Sequence, residues 1–442
     1  MIPRVIWILR NLCICLALAC FAAVSAQAEL RMGLVGPGVG WALRNQGTLP
    51  NPNHHLFWTI DDGANWKAIT PQDPASHEIA GVFFLDASRG WVLLALKREP
   101  GNVTDIFGFD LASTTDGGLS WAIKHLDSLP EGVGWLVAAQ IFFLDAAHGW
   151  MSIESPVPHW GGEGLLLATT DGGNTWKAIE EVGGGGGYGT ICFINPQDGW
   201  IAGGTDDKYL YATRDGGRHW TEIQLPPPHE VSSLFKSGPV AAQYAAPVFK
   251  DTKHGTLSVT YFEPGAEAGE DFRTLALFST EDGGLTWHSE GSTNLGQDRG
   301  ALAFTAVDSQ ALGPKHSGTS RLTLMKLGLA GKATETTANA LELPNNIVVS
   351  GLAFSDTTHG WASLSDGRLL STPDGGVTWK DITPAKKKTS LLLLSNTVPG
   401  SNPGETLAAA APPKPPLLPN NPEPWPRRYG SALSMLYCLS LR

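Results

Sequence analysis

Cysteine is scarce in this chain of 442 residues, with five in all, at positions 13, 15, 20, 192 and 438. Three of these stand in the first 28 residues. Without that stretch only Cys192 and Cys438 remain, which is neither a disulfide framework nor a zinc-ligand spacing. Charge is also sparse, at 17% of residues, and acids outnumber bases by 42 to 31. Such a balance disfavours nucleic acid and anionic membranes as partners. Tyrosine occurs seven times. Beyond the leader, no apolar run is long enough to span a bilayer. The glycine run Gly183–Gly187 is not followed by Gly-Lys-Ser/Thr, so it is no phosphate loop. His148, His254 and His359 recur at one turn position, spread along the chain, which suits turn packing better than convergence on a metal. No metal and no cofactor is expected.

The leader itself is readable. Arg4 and Arg10 precede the apolar run Leu12–Val24, which ends in Ser25-Ala26-Gln27-Ala28. This is the pattern of a secretory signal over residues 1–28, cut after Ala28. A lipoprotein reading through Ala17-Leu18-Ala19-Cys20 fits less well, because Leu is missing three residues before Cys20 and apolar residues continue past it. The expected location is secreted or periplasmic, and loss of Arg4 and Arg10 makes the remaining chain more acidic.

Glycine (52) and proline (31) are abundant, as a chain of many turns requires. One eight-residue phrase, Thr-x-Asp-x-Gly-x-x-Trp, is written six times. The copies are Thr59–Trp66, Thr114–Trp121, Thr169–Trp176, Thr213–Trp220, Thr280–Trp287 and Thr372–Trp379. Their aspartates, Asp61, Asp116, Asp171, Asp215, Asp282 and Asp374, are separated by 55, 55, 44, 67 and 92 residues. The last gap is about twice the unit. A second phrase precedes the first, an apolar strand and polar turn ending in Gly-Trp: Phe83–Trp91, Phe142–Trp150, Cys192–Trp200 and Ala353–Trp361. Val248–Thr256 is a variant, Ala303–Ala311 a worn copy inside the long gap, and Gly40-Trp41 the first instance. The count predicts seven units, one without a box.

Residues 141 to 180 show what one unit is. Ile141–Leu144, Trp150–Ile153, Leu165–Thr169 and Trp176–Ile179 read as four short strands, joined by the two repeated turns and one variable segment. Four antiparallel strands per ~45 residues is the habit of a propeller blade. The predicted fold is therefore all-β, a single seven-bladed β-propeller of four-stranded antiparallel blades over residues 29–384. Residues 385–442 form a Pro/Ala-rich tail that reads as disordered.

Within the box, Asp and Thr suit hydrogen bonding to the turn backbone. The glycines Gly63, Gly118, Gly173, Gly217, Gly284 and Gly376 tolerate positive φ. The tryptophans Trp66, Trp121, Trp176, Trp220, Trp287 and Trp379 are wedges between sheets. Six equivalent aspartates cannot all be catalytic, since an active site is assembled once. No catalytic residue is assigned.

These phrases resemble the BNR or Asp-box repeat of sialidases and other propellers. The pairing of F-x-D-x-x-H-G-W with T-x-D-G-G-x-T-W is similar to the photosystem II stability and assembly factor family and its bacterial relatives. That resemblance covers about Leu30–Thr383. It implies a seven-bladed, non-enzymatic assembly chaperone; the photosynthetic members are associated with a basic binding surface, whereas this chain is acidic. A sialidase would need three arginines, a Tyr–Glu nucleophile pair and an Asp acid/base, yet the Arg-Ile-Pro phrase of that family is absent, the first strand reading Leu30-Arg31-Met32-Gly33. Asp-box xyloglucanases use two propellers, and this chain has room for one.

Both repeated turns fall on one face, so function is sought on the other, where loops vary. Those loops are Lys97–Asp110, Ile153–Gly164, Tyr261–Asp271 and the linker Gln224–Ala246. Phe107, Phe109, Trp160, Glu163, Tyr261, Glu263 and Glu270 are the expected binding residues. The expected function is an exported scaffold or assembly factor binding a protein. The alternative is an Asp-box glycoside hydrolase or a glycan-binding propeller.

Overall fold

The computed structural model describes residues 30–385, apart from 46–53, 72–76, 98–105, 128–137, 155–164, 180–189, 204–208, 233–239, 263–272 and several stretches between 297 and 348. The chain divides into two compact units, residues 1–384 with 432–442, and residues 385–431. All described residues except Ala385 belong to the first. The proposed leader, the tail from residue 386 onward, and Trp160, Glu163, Glu263 and Glu270 lie outside the described residues.

The described chain is almost entirely antiparallel sheet. Blade 1 takes its strands in chain order from Leu30–Gly36, Val39–Asn45, His54–Thr59 and Lys67–Ala68. Blade 2 runs from His77–Phe84 through Gly90–Lys97 and Ile106–Thr114 to Ala122–His125. Blade 3 is Ala138–Phe143, Gly149–Glu154, Leu165–Thr169 and Lys177–Ala178. Blade 4 is Thr190–Phe193, Gly199–Gly203, Tyr209–Thr213 and Thr221–Glu222. Blade 5 is built on Gly255–Phe262, Arg273–Thr280 and His288–Gly296. Blade 6 is Val349–Phe354, Gly360–Leu364, Leu369–Thr372 and Lys380–Asp381.

Two expectations are corrected. The propeller has six blades, not seven. The gap between blades 5 and 6 does hold a small sheet (Thr305–Val307, Gln310–His316, Leu322–Gly328 and Ala333–Thr336). It carries no Thr-x-Asp-x-Gly-x-x-Trp box, the repeated turn that accompanies each of the six blades. Nor are all blades four-stranded. In blade 5 the first strand is split into Ala241–Tyr244 and Val248–Phe249, both paired to Gly255–Phe262. Pro247 stands at the break; lacking an N–H, it cannot donate to the ladder.

The strand ahead of each Gly-Trp turn is buried on both faces, so successive side chains reach two different neighbours. In blade 2, Phe84 packs on Trp58 of blade 1 at 4.6 Å, while Phe83 meets Phe142 of blade 3 at 5.5 Å. The glycine of the turn is required by close approach. A Cβ on Gly149 would lie 2.6 Å from the Phe143 ring, which covers the bare backbone. That ring in turn is stacked by Trp91 of blade 2 at 3.7 Å and 6°. Trp150 stacks on Phe193 of blade 4 at 3.5 Å and 7°, and Trp200 on Phe249 of blade 5 at 4.6 Å. Offset and stacked aromatic pairs contribute about 0.5–1.5 kcal/mol each beyond their buried area.

Because each blade is contiguous in sequence, no strand is shared between the two ends of the repeat. The seam of blades 1 and 6 is instead a core of its own, formed by Leu30, Met32, Leu34, Ala42, Trp361, Leu369 and Ile382.

Candidate functional site

The six repeated turns have one construction. Thr114 Oγ1 donates to Asp116 Oδ1 at 2.8 Å and accepts the N–H groups of Asp116 and Gly118 at 3.3 and 2.9 Å. Asp116 Oδ1 also accepts the Ser120 N–H at 2.9 Å, and its Oδ2 accepts the Ser120 hydroxyl at 2.6 Å. Thr169–Asp171–Thr175, Thr280–Asp282–Thr286 and Thr372–Asp374–Thr378 repeat this pattern. Asn65 and His219 take the part of Ser120 in the other two turns. All six threonines are buried.

Both oxygens of every box aspartate are thus engaged inside their own turn. Hydrogen bonds from the Ser120 hydroxyl and N–H, then Thr114, hold Asp116 down at about 2. Asp171 is held at about 2 in the same way, by Thr175 first. Asp282 lies lower still, owing first to the Thr286 hydroxyl. These groups remain carboxylates at any ordinary pH and have neither the free oxygen nor the raised pKa of a general acid. The residue at the seventh position, polar in all six copies, is a partner that the reading of the sequence overlooked. Its signal was the unbroken run Asn, Ser, Thr, His, Thr, Thr.

The box tryptophans sit between blades. Trp66 Nε1 donates to the Ile382 carbonyl of blade 6 at 2.6 Å, and Trp121 Nε1 to Ile69 of blade 1 at 2.8 Å. Trp176 and Trp220 donate within their own turns, to Gly173 and Gly217. Trp287 and Trp379 have no acceptor for Nε1 among the described residues. The Gly-Trp tryptophans reach the other way. Trp91 donates to Gly172 and Trp150 to Gly216, each in the next blade's turn. At blade 4 the series changes: Arg214, 5.1 Å above the Trp200 ring, donates to the Gly283 carbonyl in that position at 3.0 Å. At the seam, Trp361 donates to the carboxylate of Asp62 at 2.9 Å.

The Gly-Trp turns are closed by a second set of carboxylates. Asp145 Oδ1 accepts the N–H groups of Ala147 and His148 at 2.7 Å, and its Oδ2 faces the His148 ring at 2.9 Å. Asp251–His254 and Asp356–His359 repeat the pair. The histidines pack on their own turns, in three separate blades; among the described residues no group of three or more His, Cys, Asp or Glu could hold a metal ion.

Of the expected binding residues, the structure removes two from any surface. Phe109 and Tyr261 are core side chains, 0% and 1% exposed. Strand alternation explains this, because each sits on an inward-facing position of a long strand that the sequence reading treated as loop. Tyr261 Oη donates to the Leu225 carbonyl at 2.9 Å, and Tyr244 Oη accepts the Leu225 N–H at 3.1 Å, so together they pin the linker entering blade 5. That linker carries the single described helix, α1, His229–Ser232. Phe107 lies in the strand Ile106–Thr114.

What the described surface does expose is aliphatic. Its exposed large hydrophobic residues are Ile60, Leu119, Ile123, Leu285 and Val377. Ile60 stands at the second position of its turn, and Leu119, Leu285 and Val377 at the sixth. Ile60, Leu119 and Leu285 are 69%, 64% and 70% exposed. These lie on the turns that the sequence reading assigned to structure alone.

The fold and its turns define the class of protein: an all-β propeller whose blades are joined by repeated Thr-Asp-Trp turns. No family model matches the sequence, and no curated protein matches it. Among solved structures, the chain is similar to YCF48 bound to D1 peptide, at 18% identity and a TM-score of 0.42 over 70% of this chain and 83% of that one. It is similar to YCF48 from Cyanidioschyzon merolae at 13% identity and a TM-score of 0.44, over 71% and 88%. It is also similar to an ancestral GH74 enzyme at 11% identity and a TM-score of 0.47, over 80% of this chain and 46% of that longer one. Among the described residues no helix is long and apolar enough to cross a membrane.

Proposed function

We propose that this chain is an exported propeller that acts by binding a protein, as a scaffold or assembly factor, through the aliphatic turn tips at its rim. The observation carrying this reading is the kind of apolar group on display. Apolar side chains held exposed on a rigid scaffold are groups that a protein partner can cover. Among the described residues the exposed large hydrophobics are all aliphatic, and the two described rings expected to meet a ligand, Phe109 and Tyr261, are buried. Leu119, with Ile123 nearby in the same outer hairpin, and Leu285 occupy turns held rigid by their own Thr and Asp, so they are presented without loop-ordering entropy. Export rests on the leader at residues 1–28.

The test pairs the mature protein with its L119D/L285D variant. The expected result is recovery of one envelope protein by the wild type, loss of that recovery by the variant, and an unchanged melting temperature. Turnover of a fluorogenic glycoside, or glycan-array binding that the variant retains, would overturn the proposal in favour of a glycosidase or lectin.

A further inference from the structure

The outermost strand of a blade is an edge, and its outward backbone groups are a template for another strand. In blades 1, 3, 4 and 6 that edge is two residues long. It ends where Ile69, Ile179, Ile223 or Ile382, each three residues after its box tryptophan, donates its N–H to the third strand. In blade 2 the matching residue is Leu126, five after Trp121, whose N–H donates to the Phe109 carbonyl at 3.0 Å. The edge Ala122–His125 is therefore four residues long, in unbroken register with the third strand and exposed throughout. Blade 5 has a longer edge, His288–Gly296, but its register shifts between Leu277 and Phe278, opposite Gly291 at φ 135°. A bulge of that kind turns an edge away from further pairing.

The Leu126 bond fixes which groups face out. Antiparallel bonding alternates, so Ala122 and Lys124 direct their backbone groups at the third strand, while Ile123 and His125 direct theirs away from it. Lysine is a usual guard of an open edge, but the side chains that could guard this one are drawn aside. Lys124 Nζ donates to the Asn174 carbonyl in the turn of blade 3. The His125 ring meets Asp110 Oδ1 of the third strand at 2.7 Å. Ile123 stays 39% exposed on the edge, and Leu119 stands exposed in the turn that leads into it.

We infer that the edge Ala122–His125 takes an extended segment of a partner protein as an added strand, a basic segment with an apolar residue set beside Ile123. The inference rests on the protein-binding reading above and names its mode. Main-chain hydrogen bonds at Ile123 and His125 supply affinity, and the apolar contact supplies choice of side chain. Charge selects the occupant. Asp116 lies in the turn before the edge, Asp110 opposite its His125, and Asp127 just past its end. The one ammonium on the edge, Lys124, is committed to a carbonyl. A second copy of this acidic chain would bring the same carboxylates edge to edge, and like charges facing across strands are unfavourable. Lysine or arginine on the incoming strand meets them with opposite charge.

The experiment titrates the exported protein into a fluorescent synthetic peptide, Lys-Thr-Val-Lys-Val-Thr-Lys, and reads anisotropy. Ile123→Pro removes an outward N–H and keeps the ladder to the third strand; His125→Pro does the same at the other outward residue. The expected result is saturable binding by the wild type, about tenfold weaker binding by each proline variant, and unchanged melting temperatures. Three measurements need no variant. The peptide with glutamate in place of lysine should bind more weakly. Of two versions N-methylated on alternate amides, one should lose binding and the other keep it. Hydrogen exchange at Ile123 and His125 should slow when the peptide is bound. No binding by the wild type, equal binding by proline variants that melt like it, or the same outcome for both N-methylated peptides would overturn the inference. So would a dimer in sedimentation that Ile123→Pro dissolves, which puts a second copy on the edge. Equal recovery of an envelope protein by wild type and Ile123→Pro overturns the edge alone, whereas failure of the wild type to recover any overturns the proposed function.

Discussion

Asp62 Oδ1 accepts the indole N–H of Trp361 at 2.9 Å across 299 residues of sequence. The same carboxylate accepts the Ser371 hydroxyl on both oxygens, at 2.7 and 2.6 Å. Asp62 occupies the fourth position of the first repeated turn, where the other five copies have glycine, and it is the one non-glycine described residue with positive φ, at 55°. Left-handed backbone at a non-glycine residue is unfavourable, though Asp is among the residues that tolerate it best. The carboxylate earns that position by joining blade 1 to blade 6. The seam is further held by Arg44 Nη1, which donates to the Pro384 carbonyl at 2.6 Å.

Replacing Asp62 by glycine should therefore destabilise the protein despite relieving the backbone. Two partners lose a charged acceptor, and Trp361 is only 1% exposed, so its N–H gains no water in exchange. The expected loss is about 1–3 kcal/mol, read by urea denaturation. Asp62→Asn should fall between wild type and glycine. A glycine variant as stable as wild type would show that the seam does not depend on this residue.

Gly149→Ala should be disruptive even though alanine is the smallest addition. Its Cβ would stand 2.6 Å from the Phe143 ring, which is itself stacked under Trp91 and cannot swing away. Overpacking of this kind costs about 1–3 kcal/mol. Thermal melting of G149A beside the double variant G149A/F143L checks the cause, since the smaller ring-free side chain should recover part of the loss.

Thr169→Val keeps the shape of a buried turn residue and removes its oxygen. The Gly173 N–H, at 3.0 Å from Oγ1, is left without its acceptor in a buried setting, and Asp171 loses a donor. A loss of about 1–3 kcal/mol is expected, with Thr169→Ser restoring most of it. Equal stability of the valine and serine variants would count against the hydroxyl's role.

Acid should weaken the fold within a defined window. Asp116, Asp171 and Asp251 are each held at about 2 against an ordinary value of 3.8, the last chiefly by the His254 and Lys253 N–H groups. Between those values the unfolded chain binds more protons than the folded one. The stabilisation is complete above about pH 4 and is lost as pH falls towards about 2. Melting temperatures measured from pH 6 to pH 2 should be flat at first and then fall through that window; D116N and D171N should show a shallower fall. A midpoint that stays flat down to pH 2 would exclude this linkage.

Much of the architecture is local and was written in the chain. The turn Thr114–Trp121 is closed by its own threonine, aspartate and serine, all within seven residues, so the phrase alone specified it. The short strands and the repeat of blades followed from period and spacing. The number of blades did not. A gap of about two units is equally consistent with a further blade and with a small sheet lacking the box, and spacing alone does not choose between them. Phe109 and Tyr261 were misplaced for a related reason. Which side of a strand faces the core depends on register with its partner: Phe109 lies within the nine-residue strand Ile106–Thr114 opposite Ala95, and Tyr261 one residue from the end of Gly255–Phe262. Asp62 is the clearest case. Its sequence context is one more box with an aspartate in place of glycine; only ring closure brings Trp361 and Ser371 to it, because contacts across the seam join the two ends of the repeat and have no counterpart in local sequence.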